Sequence, residues 1–350
     1  MMPGGKPGYR SACRPLAFSE SNAARLRESG LRVVVTGASG WLGQASLEML
    51  ESALGDDLHA RVAAFASRAR SLTLRSGREI ALAPLEHLPL LEPAPTLLMH
   101  YAFLTKDKTF DLEAEEYARR NAGIRKIVGD AMPGIEVTHL LLPSAGAVYG
   151  LPTSADRSLC PDPVRNPYGT QKILDEQRFR EICRGLNVRA AIPRIFNISG
   201  PYINKHDAYV LSSVINAALA GGPVALHATR RVLRAYTSVR DLLDISVGWL
   251  LQESRADVIV FDTGSDEPVE IGELAQRVLE LMNRSDIAVQ RPGLSSTPGG
   301  VDTTGEMDSG DDIYVGDGRM FKAMAAQQAV VLSDLRSQII DTADYLAAVH

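Results

Sequence analysis

Residues 31–43 read LRVVVTGASGWLG. A short β-branched run closes on a glycine. Gly37, Gly40 and Gly43 then lead into a segment whose apolar residues Leu42, Ala45, Met49, Leu50, Ala53 and Leu54 recur at helical spacing. The run predicts a buried strand and the spacing predicts a helix over 41–54. Glycines at such a junction let the chain reverse tightly, let backbone N–H groups approach a pyrophosphate, and let helix pack closely on strand. The helix N-terminus adds its partial positive charge. Gly37, Ser39, Gly40, Trp41, Leu42 and Gly43 are therefore candidate cofactor-binding residues for a dinucleotide. The plain alternative is an ordinary strand–helix turn.

Outward from this junction, further strands are expected at 60–67, 79–84, 96–104, 137–145, 188–197 and 257–264. Helices are expected over 111–131 and after Tyr168. Strands alternating with helices predict an α/β fold, a doubly wound parallel sheet of about seven strands covered on both faces. After residue 196 the pattern becomes mixed. The expected division is a mobile N-terminal extension over 1–30 with a short helix around 20–28, a dinucleotide-binding domain over 31–196 with a late strand near 257–263, and a smaller mixed lobe over 197–350 for substrate. The stretch RPGLSSTPGGVDTTGEMDSGDD (291–312) reads as a long loop.

The chain has 350 residues, 45% of them hydrophobic and 23% charged, which suits a full core rather than disorder. A net charge of −5 gives no electrostatic footprint for nucleic acid. No apolar run has the length of a membrane span, and the first residues lack a signal-type apolar core. Cys13, Cys160 and Cys183 are scattered and odd in number. They fit reduced thiols in a cytoplasm better than disulfides and show no metal-ligand spacing.

A carboxylate about 20 residues beyond the glycine turn would hold the ribose 2′-hydroxyl of NAD. None occurs between Asp57 and Glu79; the interval carries Arg61, Arg68, Arg70 and Arg75. Ser67 and Arg68, at the expected end of the second strand, suit a 2′-phosphate, so NADP is favoured over NAD. The alternative is a solvated arginine surface. Farther on, NPYGTQK (166–172) opens a helix and sets Tyr168 and Lys172 one turn apart. A free phenol titrates near pH 10, and a neighbouring ammonium would lower that value toward neutrality. Alone the spacing means little; its place after the fifth strand gives it weight.

Six ordered motifs, TGASGWLG (36–43), PSAGAVYG (143–150), YGTQK (168–172), PRIFNISGP (193–201), RAYTSVRDL (234–242) and FDTGSDEPVEIGELA (261–275), resemble the extended short-chain dehydrogenase/reductases acting on nucleotide sugars, the NAD(P)-dependent epimerase/dehydratase branch. The resemblance runs from about residue 31 to the C-terminus. It implies a Rossmann domain with a smaller C-terminal substrate lobe, Tyr168 as catalytic acid/base and Lys172 assisting while holding the nicotinamide ribose. It also implies cofactor contacts at Tyr101, Ala102 and Pro193, and an Asn121 that orders the site. Ala145, Asn197, Tyr202 and Arg234 become expected substrate contacts, with Arg234 near the diphosphate. Tyr149 becomes a site-wall residue. His100 reads as a structural histidine, and His206 or Tyr202 as a possible proton donor. Helices 111–131 and 168–184 match those that pair in family homodimers.

Departures from the family pattern bear on chemistry. The family's catalytic Ser or Thr falls at Ala145; the hydroxyl here is Ser144, one residue earlier, and adjacent strand side chains point to opposite faces. Either the strand bulges and brings Ser144 round as a catalytic residue, or another group polarises the substrate oxygen. The Asp-Glu pair of 4,6-dehydratases is Gly146 and Ala147, which argues against dehydration. The reading is hydride transfer on a nucleotide-linked hexose, at C4, by a 4-keto reductase or a 4-epimerase. The alternative is a catalytically impaired nucleotide-binding member, because Ala145 replaces the usual Ser or Thr.

Overall fold

The computed structural model describes residues 15–150, 158–206, 209–253, 257–265, 267–292 and 311–349. Its strands are β1 (Arg32–Thr36), β2 (Val62–Ala66), β3 (Arg70–Thr73), β4 (Glu79–Pro84), β5 (Thr96–His100), β6 (Val137–Leu141), β7 (Ser144–Ala145), β8 (Arg189–Ile195), β9 (Asn197–Ser199), β10 (Val224–Ala225), β11 (Val232–Arg234), β12 (Tyr236–Ser238), β13 (Val258–Asp262), β14 (Val269–Glu270), β15 (Val289–Gln290) and β16 (Asp312–Tyr314). The α-helices are α1 (Glu20–Glu28), α2 (Trp41–Leu54), α3 (Leu58–Arg61), α4 (Ala114–Gly134), α5 (Pro167–Leu186), α6 (Val210–Ala220), α7 (Val239–Leu250), α8 (Ile271–Leu281), α9 (Arg319–Gln327) and α10 (Leu335–Val349).

The main sheet runs β13-β8-β6-β5-β1-β2-β4-β3, with β7 beside β8. All its pairings are parallel except β3 with β4. The two strands beyond the expected seven have local causes. β3 is a mostly exposed antiparallel edge whose RSLT sequence carries no burial signal. The strand expected over 137–145 is cut into β6 and β7 around Pro143, which has no N–H to give a ladder. Side chains alternate across the sheet as a two-faced core requires. Val33 and Val35 join Leu47, Met49 and Leu50 of α2 on one face. Val34, Leu98 and Ile192 join Val128 of α4 and Phe179 of α5 on the other. Burial on both faces is why β1 reads as an unbroken apolar run.

Beyond β8, β11 lies between antiparallel β14 and parallel β16, and β12 pairs with β9. Leu211, Leu274, Val278 and Leu346 of this part share one buried cluster with Val33 and Leu47. The helix expected around 20–28 is α1, but residues 15–30 are not a mobile extension. Leu16, Phe18 and Leu26 are buried. Asn22 Nδ2 donates to Asp244 Oδ1 on α7 (2.8 Å) and to Gln328 Oε1 (3.0 Å). Residues 1–14 and 293–310, the latter most of the expected long loop, lie outside the described residues. Among the described residues no helix is long and apolar enough to cross a membrane, and no three metal-ligating side chains form a group.

Candidate active site

The glycine turn joins β1 to α2, and two of its glycines are sterically required. Gly37 has φ +65°, and a Cβ there would stand 2.6 Å from the Ala102 nitrogen and the Tyr101 carbonyl carbon. A Cβ at Gly43 would stand 2.5 Å from Ala38 Cα and the Gly37 oxygen. Gly40 caps α2, so the amides of Trp41, Leu42 and Gly43 come first in the helix, with no carbonyl one turn back to accept them. Backbone donors at a helix start, walled by glycine, fit a pyrophosphate. Ser39 precedes the cap, and its carbonyl takes Gln44 Nε2 (3.0 Å). The Trp41 indole donates to Pro201 O at 2.7 Å, fastening the turn to the C-terminal part.

The end of β5 lies against this turn. Tyr101 turns its phenol back to Ser46 Oγ (2.9 Å), and the Ala102 amide donates to Thr36 Oγ1 (3.3 Å), so it is the backbone of both residues that packs against Gly37. His100 Nδ1 meets Thr36 Oγ1 at 2.7 Å. Burial, reinforced by the Lys172 and Arg125 charges, lowers its pKa to about 3, so it is a neutral structural ring. Pro193 is buried in β8 opposite Phe261. Ser67 and Arg68 follow the end of β2 and are exposed. Three of the five arginines in this interval are consumed by structure, Arg78 through Glu51 at 2.9 Å. Arg61 donates to the carbonyls of Leu26, Arg27 and Leu31, and Arg75 pairs with Glu48 at 2.6 Å.

Helix α5 begins where the sequence places it. Asn166 Oδ1 accepts the Gly169 amide (3.0 Å), Asn166 Nδ2 donates to Ala147 O (2.7 Å), and Pro167 takes the first helical position. Tyr168 and Lys172 thus rise on one face. Lys172 is buried, donates to Pro143 O (2.9 Å), and lies under the Phe103 ring, 3.9 Å from its centroid. Phe103 in turn meets the Tyr168 ring edge-on at 5.8 Å. The expected acidification of the phenol does not hold in this arrangement. Burial raises the Tyr168 pKa well above its ordinary value, with Tyr314, Tyr209, Tyr117 and Asp175 adding to the rise. Burial also lowers the Lys172 pKa. The ammonium spends itself on a carbonyl and a ring, so Tyr168 stands as a neutral acid.

Ser144 does not bulge round. It pairs in register with Arg194 of β8, and its hydroxyl donates to Glu176 Oε1 at 2.6 Å. That carboxylate is held bidentately by Arg194 at 2.9 and 2.6 Å. Arg194 also donates to the Tyr149 hydroxyl (2.7 Å), which donates to Asp262 Oδ1 (2.7 Å). The chain Ser144–Glu176–Arg194–Tyr149–Asp262 is a buried brace behind the site, and the Ser144 proton belongs to it.

The expected substrate contacts are similarly engaged. Ala145 is buried beside Ser144. Asn197 Nδ2 donates to Ala235 O and Tyr314 O at 3.2 and 3.1 Å. Arg234 holds Asp312 through both terminal nitrogens, at 3.0 and 3.2 Å. Tyr202 is turned elsewhere. Its backbone is left-handed (φ 67°), and its hydroxyl donates to Glu48 Oε2 at 2.5 Å beneath Arg75. His206 Nε2 lies 3.0 Å from Ile203 O. Asn121 orders the loop after β5 as expected. Its Oδ1 takes the Leu104 amide (2.9 Å), while the Tyr117 hydroxyl donates to Leu104 O (2.7 Å).

Three features were missed from the sequence. Glu176 is the first; it stands one turn beyond Lys172 on the same helix face, which could have announced it. Phe103 and Tyr314 are the others, and only tertiary structure places them.

Residues 33–261 match the NAD dependent epimerase/dehydratase family. The dTDP-L-rhamnose 4-epimerase of Burkholderia thailandensis is 26% identical over 307 residues, covering 74% of this chain and 83% of that protein. UDP-glucuronic acid decarboxylase 2 of Arabidopsis thaliana is 26% identical over 294 residues, covering 78% of this chain and 62% of that protein. Among solved structures, the UDP-N-acetylglucosamine 4-epimerase of Methanobrevibacter ruminantium superposes with a TM-score of 0.68 at 17% identity, covering 91% of this chain and 99% of that one, a likeness of fold. With a family match over residues 33–261 and the doubly wound sheet in place, the chain belongs to the NAD-dependent epimerase/dehydratase family of extended short-chain dehydrogenase/reductases.

Proposed function

We propose that this chain binds a nicotinamide dinucleotide and transfers hydride at a carbon of a nucleotide-linked hexose, at C4, with Tyr168 exchanging the oxygen-bound proton. The observation that carries the reading is the Tyr168–Lys172 pair, one turn apart on α5, at the carboxyl end of the sheet that also bears the glycine turn. The nicotinamide supplies or takes the hydride. A neutral phenol, the form that burial holds Tyr168 in, is able to give a proton to a ketone oxygen. As the carbonyl carbon gains hydride, the Tyr168 O–H bond breaks toward the new alcohol, and solvent then returns the proton. Lys172, on the same helix face as Tyr168, is the residue that would hold the nicotinamide ribose.

Exposed Ser67 and Arg68, with no carboxylate at the end of β2, favour NADP over NAD. 4,6-Dehydration is disfavoured, since a Cβ at Gly146 would stand 2.6 Å from the Phe196 ring and leave no room for an acid there. The 4-epimerases among the relatives support chemistry at C4. A homodimer through the outer faces of α4 and α5 is the expected assembly, since Leu174 is exposed there beside a shallow groove of about 470 Å³. The cytoplasm is the expected compartment.

The test is a panel of UDP-, GDP- and dTDP-hexoses, their 4-keto forms and UDP-glucuronic acid, each with NADPH or NADH. Net oxidation of NADPH marks a reductase. Interconversion without net oxidation marks an epimerase, and a pentose product from UDP-glucuronic acid marks a decarboxylase. Tight NADPH binding with no turnover on any sugar would leave a binding protein and end this reading.

A further inference from the structure

With Ala145 apolar and the Ser144 proton held by Glu176, the hydroxyl that would polarise the substrate oxygen has to come from elsewhere. Tyr314, the last residue of β16, enters the cleft from the strand that completes the β11 sheet, paired in register with Arg234. Three contacts fix it. Asn197 Nδ2 donates to its carbonyl at 3.1 Å. Its ring lies 4.8 Å from that of Phe196, whose ring covers Gly146. The Arg234 guanidinium lies 5.9 Å from its ring centroid.

Through Phe196, whose ring covers Gly146, the Tyr314 ring lies beside the turn whose Ala147 carbonyl accepts Asn166 Nδ2, the cap of the helix that carries Tyr168. The two phenols thus flank one short turn, Gly146–Tyr149, which begins right after Ala145. The electrostatic coupling agrees: after burial, Tyr314 is the leading contributor to the raised Tyr168 pKa. Among the described residues no acceptor takes the Tyr314 phenolic proton.

We propose that Tyr314 is a further catalytic residue, donating its phenolic hydrogen bond to the substrate oxygen in place of the hydroxyl missing at Ala145; this rests on the hydride-transfer reading above. Tyr168 then transfers the proton while Tyr314 stabilises the charge that gathers on that oxygen, a division of labour between one donor on helix α5 and one on strand β16.

The experiment follows NADPH oxidation by the full chain with a UDP- or dTDP-linked 4-ketohexose, with circular dichroism and NADPH binding as fold controls. Tyr314→Phe keeps the ring and removes the donor. Its kcat is expected to fall by about a hundredfold or more with KM within about threefold. Adding Ala145→Ser to that variant is expected to return about tenfold or more, because the new hydroxyl stands where family members place theirs. A Tyr314→Phe enzyme with kcat within about threefold of the parent, or one whose loss lies in KM alone, overturns the proposal. Should Tyr314→Phe not fold, Ala145→Ser in the parent decides. A gain below about threefold supports a donor already in place, and a gain of tenfold or more overturns it. A parent chain that turns over no sugar, with or without Tyr168→Phe, overturns the hydride-transfer reading and this proposal together, a result distinct from an active parent indifferent to Tyr314.

Discussion

The two sides of the proposed cleft are built from different materials. The proposed cofactor side is backbone: a left-handed Gly37, a Gly43 with no space for a side chain, the first amides of α2, and β5 carried in as peptide at Tyr101 and Ala102. The proposed sugar side is side chain. There Asn197, Arg234, Ser144 and Tyr149 each hold a named protein partner, and Tyr168 and Tyr314 stand as the proton-bearing groups left over. Backbone sites depend on glycines at fixed places and tolerate drift elsewhere. Side-chain sites can exchange one donor for another while the fold stays the same. A lost hydroxyl at position 145 therefore says less about activity than a lost glycine at 37 would.

That contrast can be broken most severely at Tyr168. Tyr168→Phe is expected to lower turnover by 10²–10⁴-fold while leaving NADPH binding intact, read by steady-state kinetics beside a binding titration. Unchanged turnover would move the chemistry off the helix altogether. Next is the brace. Arg194→Met strands the buried Glu176 carboxylate and is expected to cost about 3–5 kcal/mol in urea unfolding. A loss near zero would mean that the brace does not hold the sugar side in shape. Arg68→Ala sharpens the cofactor side. Removing a charged hydrogen-bond donor worth about 1.5–3 kcal/mol should weaken NADPH by tenfold or more and leave NADH alone, measured by fluorescence titration. Equal weakening of both would return Arg68 to the solvated surface.

A smaller effect is expected at His100. Its pKa is lowered to about 3 by burial, by Lys172 and by Arg125, so the unfolded chain binds a proton that the native chain does not between that value and 6.5. Its contribution is complete above pH 6.5 and fades as pH falls toward 3. His100→Asn should therefore flatten the fall in melting temperature across this window; an unchanged slope would place the acid sensitivity elsewhere.

The same division decides what could be read from residues in order. The glycine turn was legible because φ and close approach dictate residue type locally. Tyr168 and Lys172 were legible because one helix carries both. Asn121 meets the loop just upstream, at the Leu104 amide 17 residues before it. Ser144 was ambiguous because strand alternation states which face a side chain takes but not what waits there; Glu176, 32 residues away, waits there. Tyr202 misled because its left-handed backbone redirects it to Glu48. The acidity expected of Tyr168 ignored what Lys172 would meet, a carbonyl and the Phe103 ring. Residues 15–30 read as a tail from composition, yet Asn22 reaches Asp244 and Gln328, partners that no local pattern names.

The docking of β16 beside β11 has a consequence in time as well as space. Arg234 meets Asp312 across 78 residues of chain, and Asn197 meets Tyr314 across 117. Such closures come late because loop entropy must be spent before the contacts return it. Hydrogen exchange at the amides of β11 and β16 would time that closure against the main sheet's.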